Sequence, residues 1–578
     1  MVSPNLIKNI KKIDSIEVND NTKKLFKVIY EEQNKKPSQD SDLPRIKVSS
    51  LVSRLAFFYE KARNAVEYEE EHLLRKTAIA RILKRQVIIE GVVRHINPRE
   101  TSLHLLSEII RAGYLPNDTI LESKIDEIAF ILEKYMLLKD SLVKDSEESE
   151  SLKINAITKN VKAKVKEKGS PISLILTLAA CEIEDNLSQK NSKKVIVANM
   201  FDFLSKKIQL PIDLIEYQEE KDIQVYLSIV RTHLKLDKDV LSFVLFKYYN
   251  SFWLKIDNKK ELGEKDKGEI LKLAENFSLL KSTIEKDLNH PLKKQLDKIT
   301  KVYSLYFNVL ATAIEKDPLG VYAEIQKGEV NFVATIRKIC NQKYQKAMSR
   351  LWRTASRSVL YIFLTKSVFV LLIEVPAIRW FGEELNIITL LINIAFPAFL
   401  LFFIVLTTRK PGEENTIKII NGVKEISLAN QEKRSLLILR KPKKRSFIAA
   451  AIFNLIYTAS FCFSIYVIVK LLTLIDFTWV SIIIFLFFLA FVSFFSIVTT
   501  KGVKELLIVE KKESILSLFL DLFYLPIVMV GRWLSGNMSK VNVFVFIFDF
   551  IIEAPFKIFI DIIEDWTKYV KEKRENMD

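Results

Sequence analysis

Two groups of residues in this chain have types and spacings that could do chemistry. The first is Lys366, Glu374, Asn393 and Asn454, polar side chains set inside long apolar runs. An ammonium in hydrocarbon has to find a partner, face water or lose its charge. Such a residue reads as a site for an ion, an anion or a headgroup, or as polar glue between helices. Counted from the run ends at a rise of about 1.5 Å per residue, Lys366 and Asn454 reach one depth and Asn393 lies about a turn away. Glu374, two turns beyond Lys366 on the same face, extends the expected intramembrane polar cluster outward. The second group is Asp549, Glu553, Lys557 and Asp561, four residues apart and opposite Ile547, Phe550, Ile551, Ile558 and Ile562. A helix gathers them into one charged stripe, the wet side of an interfacial helix or the carboxylates of a lipid-processing site.

Other chemistry is not indicated. The five histidines, His72, His95, His104, His233 and His290, show no HExxH or other close metal spacing. Gly263 and Gly268 stand at phosphate-loop distance, but no Lys-Ser/Thr follows and carboxylates surround them. Cys181-Glu182-Ile183-Glu184 reads as a structural polar patch at the end of an apolar helix. The three cysteines are far apart, with no CxxC pair. The expectation is therefore no catalytic residue, no metal and no cofactor.

The elements that must position the first group are four apolar runs, 358–378, 385–406, 447–475 and 477–498. Each reaches the roughly 20 residues needed to cross about 30 Å of hydrocarbon. Arg350, Arg353 and Arg357 precede the first run, a cluster from Arg409 to Arg445 follows the second, and Lys501, Lys504, Lys511 and Lys512 follow the fourth. The opposite connections carry almost no basic residue, so the positive-inside rule places both termini in the cytosol of a cell with this protein in its inner membrane. Trp352, Trp380, Trp479, Trp533 and Trp566 mark the ends of apolar runs, where an amphipathic ring settles at the headgroups.

Thirteen Gly and fifteen Pro in 578 residues, with abundant Lys, Glu, Leu and Ile, predict an all-α chain. The reading divides it into a polar arm (1–46), helical cytosolic subdomains at 47–144 and 171–328 with a charged linker at 145–170, a connecting helix (329–357), the transmembrane domain (358–500) and amphipathic interfacial helices with a charged tail (501–578). Within the last part, Ile515–Leu534 is expected to be interrupted at Asp521 and Pro526 and to lie in the interface or re-enter it, with the alternative that it and Val541–Ile563 both cross, which also leaves the C-terminus in the cytosol. Gln86–Val93 looks β-like, but with no partner strand it reads as a bent helix end. The net charge of +17 crowds beside the spans, which points to the bilayer and its anionic lipids as partners rather than to nucleic acid.

Patches at Arg75–Arg85, Ala180–Glu184, Leu364–Lys366 with Ile373–Pro376, Gly531–Ser535 and Asp549–Lys557 resemble uncharacterised multi-pass membrane proteins of small-genome candidate-phyla bacteria. The resemblance implies a bacterial setting and supplies no activity or site residue. The leading expectation is a non-enzymatic, membrane-anchored helical scaffold or adaptor whose helical part binds a cytosolic protein. The alternatives are a small transporter or channel around Lys366, and a lipid-processing enzyme at the interface.

Overall fold

The computed structural model describes residues 18–34, 44–66, 73–89, 97–151, 161–188, 191–256, 259, 261–428, 436–442, 446–509 and 515–540, with scattered positions between 559 and 574. The fold is all-α, as the composition predicts. Its contacts divide it into a helical unit (31–206 and 214–301) and a unit holding the apolar helices (1–30, 207–213 and 302–541).

After α1 (Asp20–Asn34), the helical unit contains α2 (Ser50–Val66), α3 (Leu74–Lys84), α4 (Pro98–Arg111), α5 (Ser123–Ser151), α6 (Val161–Leu187), α7 (Asn191–Lys207), α8 (Lys221–Thr232), α9 (Lys238–Tyr249), α10 (Ser251–Ile256), α11 (Glu264–Glu275) and α12 (Phe277–Leu288). Boundaries follow local chemistry. The Asn97 side chain accepts from Arg99 N at the start of α4, Asp237 accepts from Val240 N at the start of α9, and Gly113, at φ 80°, ends α4. Gly263 begins α11, where its N–H donates to Asp266 at 3.0 Å, so the two glycines serve a helix start and not a phosphate loop.

One continuous core joins Leu105, Ile109, Leu132 and Leu138 to Ile175, Leu178, Ile183, Leu227, Leu245 and Trp253. That core draws on both sides of 145–170, so the contacts do not divide at the expected linker. Helix α6 runs through Gly169 and Pro171, and residues 302–328 belong to the other unit. The β-like stretch continues α3 as a π turn over Arg85–Ile89, and the rest of it lies outside the described residues.

The second unit has a base and an apolar block. The base is built from the first part of α1, α13 (Lys293–Lys316, from its third turn), α14 (Pro318–Lys327), the first half of α15 (Glu329–Phe369) and α18 (Glu413–Ser427). Helix α18 packs on α15, with ion pairs Arg337–Glu413 at 2.8 Å and Lys424–Glu329. Gly422 lies so close to the Tyr306 ring that a Cβ there would collide with it. A two-residue parallel pairing of β1 (Ile208–Gln209) with β2 (Leu437–Ile438) adds to the base.

The apolar block comprises the second half of α15 with a π turn (Val370–Glu374) and α16 (Val375–Trp380), then α17 (Ile387–Thr407), α19 (Phe447–Thr473), α20 (Trp479–Lys504) and α21 (Ile515–Lys540). Among the described residues four helices are long and apolar enough to cross a membrane: Glu329–Trp380, Ile387–Thr407, Phe447–Thr473 and Trp479–Lys504. Helices α15 and α17 pack on each other and on α20, and α21 lies between α20 and α19. Much of the apolar surface points outward: Leu372, Leu455 and Phe447 are among the exposed side chains, and Trp380 is 88% exposed. Water strongly disfavours such a surface, whereas hydrocarbon does not.

Helix α21 differs from the expectation, because Pro526 does not interrupt it. The proline has no N–H for the Leu522 carbonyl, and the Ser460 hydroxyl of α19 donates to that carbonyl at 2.9 Å instead. Gly531 lets α21 approach α20 so closely that a Cβ there would collide with the Ala490 carbonyl oxygen. These contacts fall midway along α19 and α20, so α21 runs beside the apolar helices at that level.

Candidate functional site

Three of the four expected cluster residues meet. Asn393 Nδ2 donates to Glu374 Oε1 at 2.5 Å, and Ser481 Oγ donates to the same oxygen at 2.6 Å. Lys366 Nζ stands 3.9 Å from Glu374 Oε2 and 4.0 Å from the centroid of the Phe488 ring. Lys366, Glu374 and Asn393 are 0% exposed. Lys366 Nζ, Glu374 Oε2 and Asn393 Oδ1 make no hydrogen bond.

The backbone explains why Lys366 and Glu374 share a face. Eight residues of α-helix turn about 800°, which would leave the two side chains about 80° apart. A π turn absorbs one residue, so the offset becomes that of a seven-residue step, about 20°. The widening is visible in the Val375 N–H, which bonds to Val370 O five residues back. Pro376 follows directly, and its ring would crowd the Leu372 carbonyl of a regular helix. The Ile373-Glu374-Val375-Pro376 sequence is thus the local reason for the turn that aims Glu374 inward.

Depth brings in Asn393. Glu374 lies six residues before Trp380 and Asn393 six after Ile387, on either side of one short connection. Ser481 is a member that the sequence does not announce. It reads there as part of a helix cap, and Thr478 does accept from Ser481 N at 3.2 Å, but its hydroxyl lies at the depth of Glu374.

Asn454 does not join the cluster, contrary to the expectation. It is exposed, whereas the buried residues of α19 are Ser460, Ser464 and Leu472. Six residues separate Asn454 from Ser460, placing them about 120° apart around the helix. The stripe residues Asp549, Glu553, Lys557 and Asp561 lie outside the described residues.

In the helical unit, Cys181-Glu182-Ile183-Glu184 is a structural node. Glu182 Oε1 accepts from Lys134 Nζ at 2.5 Å, and its Oε2 accepts from Tyr135 OH at 2.7 Å and Trp253 Nε1 at 2.9 Å. Glu184 takes both arms of Arg75, at 2.6 and 2.7 Å. Burial pushes the Cys181 thiol well above its usual range, which makes it a poor nucleophile. Burial pulls the Lys76 ammonium down, but the Asp237 hydrogen bond and the charges of Asp237 and Asp239 leave it above its ordinary value. His104 is exposed, and His290 lies 2.9 Å from Glu220. Among the described residues no group of three His, Cys, Asp or Glu could hold a metal ion.

The cluster can therefore do one thing plainly: it ties α15, the π turn, α17 and α20 together through a buried carboxylate. No family model matches the chain, and comparison with curated proteins and with solved structures finds no match.

Proposed function

We propose that the chain is a membrane-anchored helical scaffold, fixed in a bacterial inner membrane with both termini in the cytosol, whose helical unit binds a cytosolic protein. The observation that carries this reading is the complete burial of Lys366 and Glu374. Polar groups that served a solute would face a wet cleft, whereas these are closed in by helices and by Phe488 and act as a tie within an anchor. The basic residues Arg409, Lys410, Lys501 and Lys504 flank the apolar helices, where they favour anionic lipid and retention on the cytosolic side. Affinity capture from gently solubilised membranes is expected to recover a cytosolic protein that depends on the helical unit. Recovery of the chain alone in several mild detergents would sink the proposal.

A second reading, a small transporter or channel around Lys366, is favoured by the three buried atoms that make no hydrogen bond. It expects ion flux in proteoliposomes that is lost in Lys366→Leu. Flux that persists unchanged in that variant removes the residue from any such path.

A further inference from the structure

Two clefts open side by side in the helical unit. The first, of about 750 Å³, has walls of Val197, Phe201, Tyr226, Phe243 and Val244 from α7, α8 and α9. The second, of about 800 Å³, is bordered by Ser123, Asp126, Glu127 and Asn186, with the Lys134–Glu182 pair in its wall. Asp185, Ser188, Lys194 and Lys247 belong to both, so an apolar cleft and a polar one share a wall. Both volumes fall in the range of small-molecule sites, about 300–1,000 Å³.

The charges of the apolar cleft sort by partner. Glu184 is taken by Arg75, and Lys76 by Asp237 and Asp239. The other lining charges are Lys193, Lys194 and Lys247 against Asp185 and Asp222, one positive charge in excess. Lys194 reaches Asp185 at 3.6 Å, and the Lys247 ammonium stands 4.8 Å from the Phe243 ring centroid, its stem along the apolar wall. Burial, and after it the charge of Lys193, hold His233 down at about 4.

We propose that the apolar cleft binds a single-chain anionic amphiphile, its acyl chain among the apolar side chains and its carboxylate or phosphate head at the wall shared with the polar cleft, beside Lys194 and Lys247. A cavity apolar at one end and charged at the other fits a molecule with one apolar and one charged end. A docked helix would instead need apolar anchors recurring every third or fourth residue along a groove. Each methylene placed in the cleft strengthens binding about fourfold. A chain that carries membrane spans works beside a reservoir of such molecules. The inference rests on the helical unit being the working part of the protein, but it does not require a protein partner.

The test uses the full-length protein in lipid nanodiscs, photolabelled with diazirine analogues of palmitate, lysophosphatidylglycerol and neutral monoacylglycerol, with the label mapped by peptide mass spectrometry. The anionic probes are expected to label peptides within 197–248, the neutral one about tenfold less. Val244→Arg, which puts a charge in the acyl path, and the exposed-rim double variant Lys193→Glu/Lys194→Glu should each reduce that label at least about fivefold, the rim variant with unchanged thermal melting. The stronger of the two anionic arms identifies the head as carboxylate or phosphate. Label confined to the membrane helices, label in 197–248 that the variants do not change, or equal labelling by the neutral probe overturns the proposal. Capture of a protein partner is a separate readout, so failure of one does not imply failure of the other.

Discussion

Among the described residues two Lys–Glu pairs are buried, one in each unit, and they are built differently. Around Glu182 each carboxylate oxygen is partnered, by Lys134 at 2.5 Å on one side and by Tyr135 and Trp253 on the other. Around Glu374 one oxygen takes Asn393 and Ser481, while the lysine stays 3.9 Å from the other and rests on the Phe488 ring. Burial alone therefore does not determine how such a pair behaves. A buried charge is tolerable when its hydrogen-bonding capacity is filled, and the first pair fills it far more completely than the second. The sharpest way to break the comparison is Glu182→Leu. It leaves the Lys134 ammonium, the Tyr135 hydroxyl and the Trp253 N–H without their acceptor, and is expected to cost about 3–5 kcal/mol. Thermal melting of the purified protein reads this directly, and a small shift would show that the node carries little.

His233 extends the contrast to pH. Its folded value of about 4 lies below the unfolded value of 6.5, with burial as the main cause and the Lys193 charge second. The sign follows from proton counting: above pH 6.5 neither state binds the proton, and between 6.5 and about 4 the unfolded chain binds one that the folded chain refuses. The contribution of His233 to stability is thus full at neutral pH and is lost across that window, about 3 kcal/mol in all. The melting temperature measured at pH 7.5 and pH 4.5 is expected to drop in the wild type and to drop less in His233→Gln. Equal drops would remove His233 as the cause.

Replacing both members of each pair with neutral residues of similar shape tests whether the incomplete pair is the poorer one. Lys366→Met/Glu374→Gln keeps a carbonyl for Asn393 and Ser481 while removing two charges that meet at 3.9 Å, so stability should be unchanged or higher by about 1–2 kcal/mol. Lys134→Met/Glu182→Gln gives up a 2.5 Å charge-assisted bond and weakens two others, and should lose about 1–3 kcal/mol. The Lys134/Glu182 double variant is expected to melt below the wild type and the Lys366/Glu374 double variant at or above it, side by side in one detergent. A loss of equal size in both would mean that the Lys366 pair is as well satisfied as the other.

The comparison also shows what the residues alone could reveal. The apolar runs, their ends and the inward Lys366, Glu374 and Asn393 are legible because hydrocarbon penalises a polar group so heavily that its presence is itself a signal. Asn454 shows the limit of that signal: depth can be counted from the run end, but the face of α19 is set by where Ser460 and Ser464 meet α21, which no property of α19 alone displays. Ser481 stays hidden because a serine three residues after Thr478 looks like capping chemistry. The alignment of Glu374 with Lys366 depends on a π turn, which Pro376 suggests only once the turn is seen. In the helical unit Glu182 reads as a structural residue, but its partners come from residues 48 and 71 positions away, contacts that spacing within one helix does not encode. The expected division of that unit fails for the same reason, since a charged, apolar-poor stretch says nothing about whether the helices on either side share a core.

The smallest expected effect concerns how α21 is held beside the apolar helices. Pro526 takes one donor from the helix, and Ser460 supplies another to the Leu522 carbonyl from a neighbouring helix. In water such a carbonyl would simply be hydrated, so the bond would be nearly redundant; among apolar helices the substitute donor has to come from protein. Ser460→Ala should therefore cost about 1 kcal/mol, while Ser460→Ala/Pro526→Ala should recover most of it, because an alanine in place of the proline restores the backbone N–H that closes the helix on itself. Ser464 already gives its hydroxyl proton to the Ser460 carbonyl at 2.8 Å, so it does not stand in for the lost donor. If the single substitution leaves melting unchanged and the double variant gains nothing, that carbonyl is reached by water, and α21 lies nearer the aqueous boundary than its contacts with the middles of α19 and α20 imply.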